Sequence, residues 1–227
     1  MTSFILGATG FVGREVVRQL CVRGEKTIAH IRPDSSSLET WRKTFGELGA
    51  TVDVTSWDAT KLAIAIATSD RLYILIGTTR GKAKTDHVEG NIYEQIDLGL
   101  TRIAVDAAKQ SGKQIRLVYL SSVGADASAR SAYLKARGQA EDVVKGANLP
   151  WVIARPSIIT GDRDDSRIGE SAGAVIGDGL LAVVGMFGGR KTRAKYKSTT
   201  PDVLASSLIR IGEAAEHGVI VDGADLR

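Results

Sequence analysis

The chain of 227 residues is 43% hydrophobic and carries 30 basic against 26 acidic side chains, a formal charge of +4. That composition excludes a disordered chain and, at so small a charge, implies no nucleic-acid partner; an anionic ligand is compatible with it. No run approaches the roughly 18 consecutive apolar residues of a membrane span, so no membrane partner is expected either. The opening Met1-Thr2-Ser3-Phe4-Ile5-Leu6 runs into a glycine turn without the basic segment of a signal peptide. Cys21, the one cysteine, can make no internal disulfide, and a cytoplasmic protein is expected.

Along the chain, apolar runs alternate with helical patterns, the signature of a parallel sheet covered on both faces. The first strand is expected at 3–6, followed by a helix over 10–23 with Val12, Val16, Val17, Leu20 and Cys21 on one stripe. On that stripe Cys21 belongs to the core rather than to chemistry. Strands follow at 26–31, stopped by Arg32-Pro33, at 50–54, and at 72–76, the last apolar on both faces. A long helix covers 88–110 and ends at Ser111-Gly112; strand five covers 115–120, a helix runs over 131–146, and strand six covers 151–154. Seven glycines between Gly169 and Gly189 mark loops, and 202–215 is a last helix. The expected fold is α/β, a Rossmann-type doubly wound parallel sheet. It forms one domain over 1–227, with a small irregular C-terminal substrate lobe over about 156–227.

Gly7-Ala8-Thr9-Gly10-Phe11-Val12-Gly13 follows the first strand and opens the first helix. Gly7 allows a tight turn, Gly10 lets backbone approach a pyrophosphate, and Gly13 lets helix and strand pack closely. The N–H groups of the first helical turn then face the phosphates. This is the grip of a dinucleotide cofactor, written G-x-x-G-x-x-G rather than the commoner G-x-G-x-x-G. At the end of strand two a carboxylate would suit the ribose of NAD, whereas here Ile31 is followed by Arg32, which can clamp a 2′-phosphate. NADP (NADPH) is the expected cofactor. Asp53, after strand three, is read either as a neighbour of the adenine or as a loop cap.

Together these motifs resemble the atypical short-chain dehydrogenase/reductases of the Tat-interacting-protein-like, NmrA-like branch. The matching pieces are GATGFVG at 7–13, IGTTRGKA at 76–83, LSSVGAD at 120–126, YLKARGQAE at 133–141 and ARPSIITGDRDDSR at 154–167; the final 40 or so residues match poorly. The resemblance implies cofactor contacts at Thr9, Gly10, Phe11 and Val12, at Ile31 and Arg32 beside the adenosine phosphate, and at Ile76 and Gly77. It also implies Ile159 at the nicotinamide end and Arg167 closing over the cofactor. Independently, 7–13, 77–79 (with Thr78), 121–122 and 155–160 fall just past expected strands, where ligands of doubly wound sheets bind.

Members of that family use a tyrosine, a lysine one helical turn later and a serine on the strand-five loop. The tyrosine exchanges a proton with the substrate oxygen while hydride moves at the nicotinamide. A free phenol, with a pKa of about 10, is too weak a base near neutrality, and a cation on the same helix face favours its ionised form. Tyr133 matches the tyrosine and Ser122, with Ser121 beside it, the serine; the fourth residue on is Arg137, not lysine. Lys135 is no substitute, because a two-residue step points about 200° around a helix. Arg137 is expected to clamp the nicotinamide ribose, which makes both a cofactor and a catalytic role for Tyr133 and Arg137 part of the reading.

The expected function is an NADPH-dependent oxidoreductase acting on a small carbonyl or alcohol substrate. The alternatives are a redox-silent NADPH-binding regulator with a protein partner, and an isomerase with tightly held cofactor; a homodimer is left open. The basic run 190–197 is read as a solvated edge rather than an anion site. His30, His87 and His217 lack metal-ligand spacing, so no metal is expected. His87 is read as a surface histidine at a helix start, and Arg80 and Lys82 either recognise an anionic substrate or shape their loop.

Overall fold

Successive side chains of a strand point to opposite faces of a sheet, and Phe4-Ile5-Leu6 divides accordingly, with Ile5 in one apolar cluster and Phe4 and Leu6 in the other. The computed structural model describes residues 1–77, 91–157, 159–160, 199–223 and 225–226. In chain order these form β1 (Thr2–Leu6), α1 (Gly13–Val22), β2 (Lys26–His30), α2 (Leu38–Glu47), β3 (Thr51–Asp53), α3 (Ala59–Ile66) and β4 (Arg71–Ile74). A π-helical turn (Tyr93–Gly99) then runs into α4 (Leu100–Gln110), followed by β5 (Arg116–Leu120), α5 (Ala132–Lys145), β6 (Trp151–Arg155), α6 (Pro201–Glu213) and β7 (Val219–Asp222). The strands make one parallel sheet in the order β3-β2-β1-β4-β5-β6-β7. This is the Rossmann-like α/β fold expected from the alternating pattern.

Helices cover both faces, which is why the central strands are apolar without interruption. On one face Val16, Val17 and Leu20 of α1 pack with Phe45 of α2 and Leu204 and Leu208 of α6. On the other, Leu62 and Ile66 of α3 pack with Ala104 and Ala108 of α4 and Ala140 and Val144 of α5. Each large side chain so buried contributes about 1.5–3 kcal/mol.

Three elements depart from the pattern reading. α2 buries only Phe45, with Trp41 stacked on it at 5.2 Å, so its apolar stripe is too thin to see in sequence. α3 is short, but Asp58 caps it by accepting the Lys61 N–H at 2.9 Å. β7 adds an edge to the sheet beside β6, so 219–222 returns to the main fold instead of joining an irregular lobe. The helix expected from residue 10 starts at Gly13, because 10–12 form the turn. β4 ends at Ile74 rather than 76, although the Leu75 N–H still reaches the Leu6 carbonyl at 3.0 Å. The glycine-rich 169–189, the basic run 190–197 and residues 88–90 of the long helix lie outside the described residues.

His30 closes β2 as a buried ring, with Nε2 2.7 Å from the Thr55 carbonyl oxygen and Trp57 edge-on at 5.0 Å. Burial holds its pKa below the usual value, against the opposing pull of Thr55 and Asp53. The unfolded chain therefore takes up this proton first, so the contribution of neutral His30 is complete above about pH 6.5 and declines below it. Urea midpoints measured from pH 7.5 down to pH 5.5 (both approximate) should fall less steeply in His30→Phe than in the wild type; equal slopes would contradict this.

Candidate active site

β1 passes the chain to α1 through a turn that admits only glycine at its key points. Gly7 has φ +84°, and a Cβ there would stand 2.6 Å from the Leu75 carbonyl oxygen. The Gly10 N–H closes the turn on the Gly7 carbonyl at 3.0 Å. A Cβ on Gly13 would overlap that same carbonyl oxygen, so α1 packs against bare backbone. Val12, at the helix cap, supplies no side-chain cap. The amino end of α1 thus carries N–H groups without intrahelical partners and the positive end of a helix dipole at the carboxyl edge of the sheet. That donor set fits a dinucleotide diphosphate. Thr9 and Gly10 are half-buried in the turn, and Phe11 stacks 5.6 Å from the Arg14 guanidinium.

Beyond β2, buried Ile31 donates its N–H to the Asp53 carbonyl at 2.9 Å. The Arg32 side chain, just past β2, is 40% exposed, its Nε 3.9 Å from Asp34 Oδ1. Asp53 acts as a loop cap at the end of β3: its two carboxylate oxygens accept the Thr55 N–H and the Thr55 hydroxyl, each at 3.0 Å.

At the other end of the crevice, Ile76 is buried and Gly77 is exposed. Tyr133, the second residue of α5, is half-buried with its ring edge-on to Tyr93 at 5.4 Å. Ser122 is half-buried, its hydroxyl donating to the Val123 carbonyl at 3.3 Å, whereas Ser121 is buried and donates to Glu141 at 2.6 Å. Ile159 forms an isolated bridge with Thr199 and packs on the cluster beneath α1. Thr78, Arg80, Lys82, His87 and Arg167 lie outside the described residues.

Arg137 departs from the expected ribose clamp. Its side chain is turned inward and only 7% exposed, with Nη2 2.8 Å from the fully buried Asp97 carboxylate. Nη1 donates to the Leu120 carbonyl at 2.8 Å and the Tyr119 hydroxyl at 3.3 Å. The correction has a physical cause: a carboxylate as buried as Asp97 must be paired, and among the described residues Arg137 is the cation that pairs with it. Burial by itself would lower the Arg137 pKa, but Asp97, with Tyr119 and Tyr133, holds it above its ordinary value.

Sequence reasoning also missed Glu141, which is buried at the junction of β5, α5 and β6. It takes two hydrogen bonds from Arg155 at 2.8 and 2.6 Å, one from Ser121, and one from Lys145 at 3.3 Å. The signal was present: Tyr133, Arg137 and Glu141 recur every four residues along one helix face.

Gly77 gives a direct test of this packing. A Cβ there would stand 2.6 Å from Arg137 Nη2, a group already held by Asp97 and so unable to swing aside. Gly77→Ala is expected to cost about 1–3 kcal/mol in urea unfolding. An unchanged midpoint would show that the guanidinium yields freely.

The model for NAD(P)H-binding domains matches residues 7–179, from the glycine turn across the sheet. The chain belongs to this NAD(P)H-binding family. That bears out the nicotinamide-dinucleotide-binding family expected from the glycine turn. The FMP52 protein of Candida albicans, named as mitochondrial, is 32% identical over 184 residues, covering 78% of this chain and 76% of that one. The mitochondrial FMP52 protein of Coccidioides immitis is 29% identical over 236 residues, covering 98% and 89%. Among solved structures of the NAD(P)H-binding fold, a short-chain dehydrogenase/reductase family oxidoreductase from Burkholderia thailandensis superposes with TM-score 0.67 at 20% identity, covering 99% of this chain and 92% of that one. The triphenylmethane reductase of a Citrobacter species, complexed with NADP(H), gives TM-score 0.63 at 16% identity and coverage of 98% and 69%. The relatives overturn the cytoplasmic expectation, since they are named mitochondrial proteins. A lone cysteine excludes an internal disulfide and does not separate one reducing compartment from another.

Proposed function

We propose that this member of the NAD(P)H-binding family is an NADPH-dependent oxidoreductase acting on a small carbonyl or alcohol substrate, at a mitochondrial address. The observation that carries the reading is the half-buried Tyr133 at the head of α5, its ring 5.4 Å from Tyr93 and 5.5 Å from the Arg137 guanidinium, against which Gly77 packs just past β4. When bound, the reduced nicotinamide supplies a hydride to the carbonyl carbon. Tyr133 gives its hydroxyl proton to the carbonyl oxygen, and Ser122 donates a hydrogen bond to that oxygen as charge develops on it. In the reverse direction Tyr133 takes the alcohol proton back. Thr9 to Val12 hold the diphosphate, and Arg32 pairs with the 2′-phosphate.

Two measurements test this. Arg32→Ala should weaken NADPH more than NADH by ~1.5–3 kcal/mol, the loss of one charge-assisted contact; equal weakening would defeat the NADP assignment. Steady NADPH oxidation across a carbonyl panel should be present in the wild type and collapse in Tyr133→Phe. One observation favours a second reading: the Arg137 guanidinium is engaged by Asp97 and Leu120 instead of facing a ribose. NADPH binding with no turnover, unchanged in Tyr133→Phe, would support a redox-silent regulator.

A further inference from the structure

At the helix position where the resembled family carries lysine, this chain has built a buried pair from two separate elements. Arg137 Nη2 is 2.8 Å from Asp97 on the π-helical turn, and Nη1 is 2.8 Å from the Leu120 carbonyl at the end of β5. The guanidinium carbon lies over the Tyr133 ring, 5.5 Å from its centroid, and over the Tyr119 ring at 6.0 Å. Gly77 passes directly over it, where any side chain would collide with Nη2. A planar guanidinium can bridge acceptors on different elements while lying against rings; an ammonium, a point charge on a flexible stem, cannot hold that arrangement. The extra residue per turn of a π-helix is a recurrent feature of functional sites, and here it lies in the segment that brings Asp97 inward. Asp97 also accepts the Thr101 hydroxyl on its backbone carbonyl at 2.6 Å, which ties that segment to the head of α4.

We infer that Asp97 is a positioning residue for the nicotinamide half of the crevice: it orients Arg137 so that the guanidinium holds Tyr133 and the end of β5 beneath Gly77. The pair, not Arg137 alone, replaces the lysine, and because the pair is neutral it places no bare cation under the ligand. This inference rests on the cofactor-site reading above.

The test compares the wild type with Asp97→Asn, Arg137→Gln, the double variant and Arg137→Lys. Each is measured for thermal midpoint and for binding of NADPH and of 2′-phospho-ADP, which lacks the nicotinamide half. Either neutral single variant leaves one buried charge without its partner and should melt lower than the wild type. The double variant removes both charges and should regain most of the midpoint. Its NADPH dissociation constant should nevertheless rise roughly tenfold, the scale of one lost hydrogen-bonded contact, while 2′-phospho-ADP binds as in the wild type. Arg137→Lys keeps the charge balance and thus the fold, and should show the same selective loss. If the double variant and Arg137→Lys bind NADPH as tightly as the wild type, the pair serves the fold alone and the inference is overturned. A loss of both ligands in equal proportion overturns it as well, since the damage is then general. Wild-type protein that takes up neither ligand would instead refute the cofactor site itself.

Discussion

Gly13→Ala is expected to lose about 2–3 kcal/mol of stability and to lose uptake of NADPH with it. The added methyl would meet only backbone: the Gly7 carbonyl oxygen, the Gly7 carbonyl carbon at 2.9 Å and the Ala8 Cα at 3.0 Å. None of these is the end of a flexible side chain. Nor can α1 retreat, because Val16, Val17 and Leu20 are fully buried beneath it. Relief can come only by opening the glycine turn, which would move the helix end away from a diphosphate. Gly46→Ala, on α2 with open space around the added carbon, is the matched control and should bind normally. Urea unfolding and nicotinamide fluorescence on the two variants check both halves, and a Gly13→Ala chain that binds NADPH like the wild type would contradict the argument.

Arg137→Met should be more damaging still, by about 3–5 kcal/mol, since it leaves the Asp97 carboxylate buried with its cation gone. Asp97 is fully buried and Arg137 nearly so, and water cannot make good the lost charge. The exposed Lys43–Glu47 pair on α2, 4.0 Å apart, provides the contrast. Glu47→Ala should change the midpoint little, because solvent already screens that pair. Comparable losses in the two variants, measured by denaturant titration, would mean that the buried pair is far better solvated than its environment indicates.

Those expectations draw on residues that differ in how visible they were in the sequence. The sheet was legible because each central strand is buried on both faces and reads as an unbroken apolar run, as in Leu72–Ile76. The glycine turn was legible because steric exclusion at Gly7 and Gly13 leaves a fixed spacing. α2 was not, since one buried residue makes no stripe, and β7 was hidden in the sequence after the poorly patterned 156–200 stretch. Tyr133 could be placed at the head of a helix, but the direction of Arg137 could not. That direction is set by Asp97, from an element distant in sequence, at a point where a π-helical turn breaks the regular period. The local pattern along α5 carries no record of a partner on another element. Asp53 was undecided for a similar reason: the Thr55 hydroxyl and N–H that occupy it lie two residues away, within reach of either reading.

Every functional step proposed for this chain requires a nicotinamide dinucleotide lying across the carboxyl edge of the sheet. Titration of the purified protein with NADPH and NADH, followed by nicotinamide fluorescence, tests it most directly. Saturable binding of both, tighter for NADPH, is the predicted result; a flat response to both would contradict it.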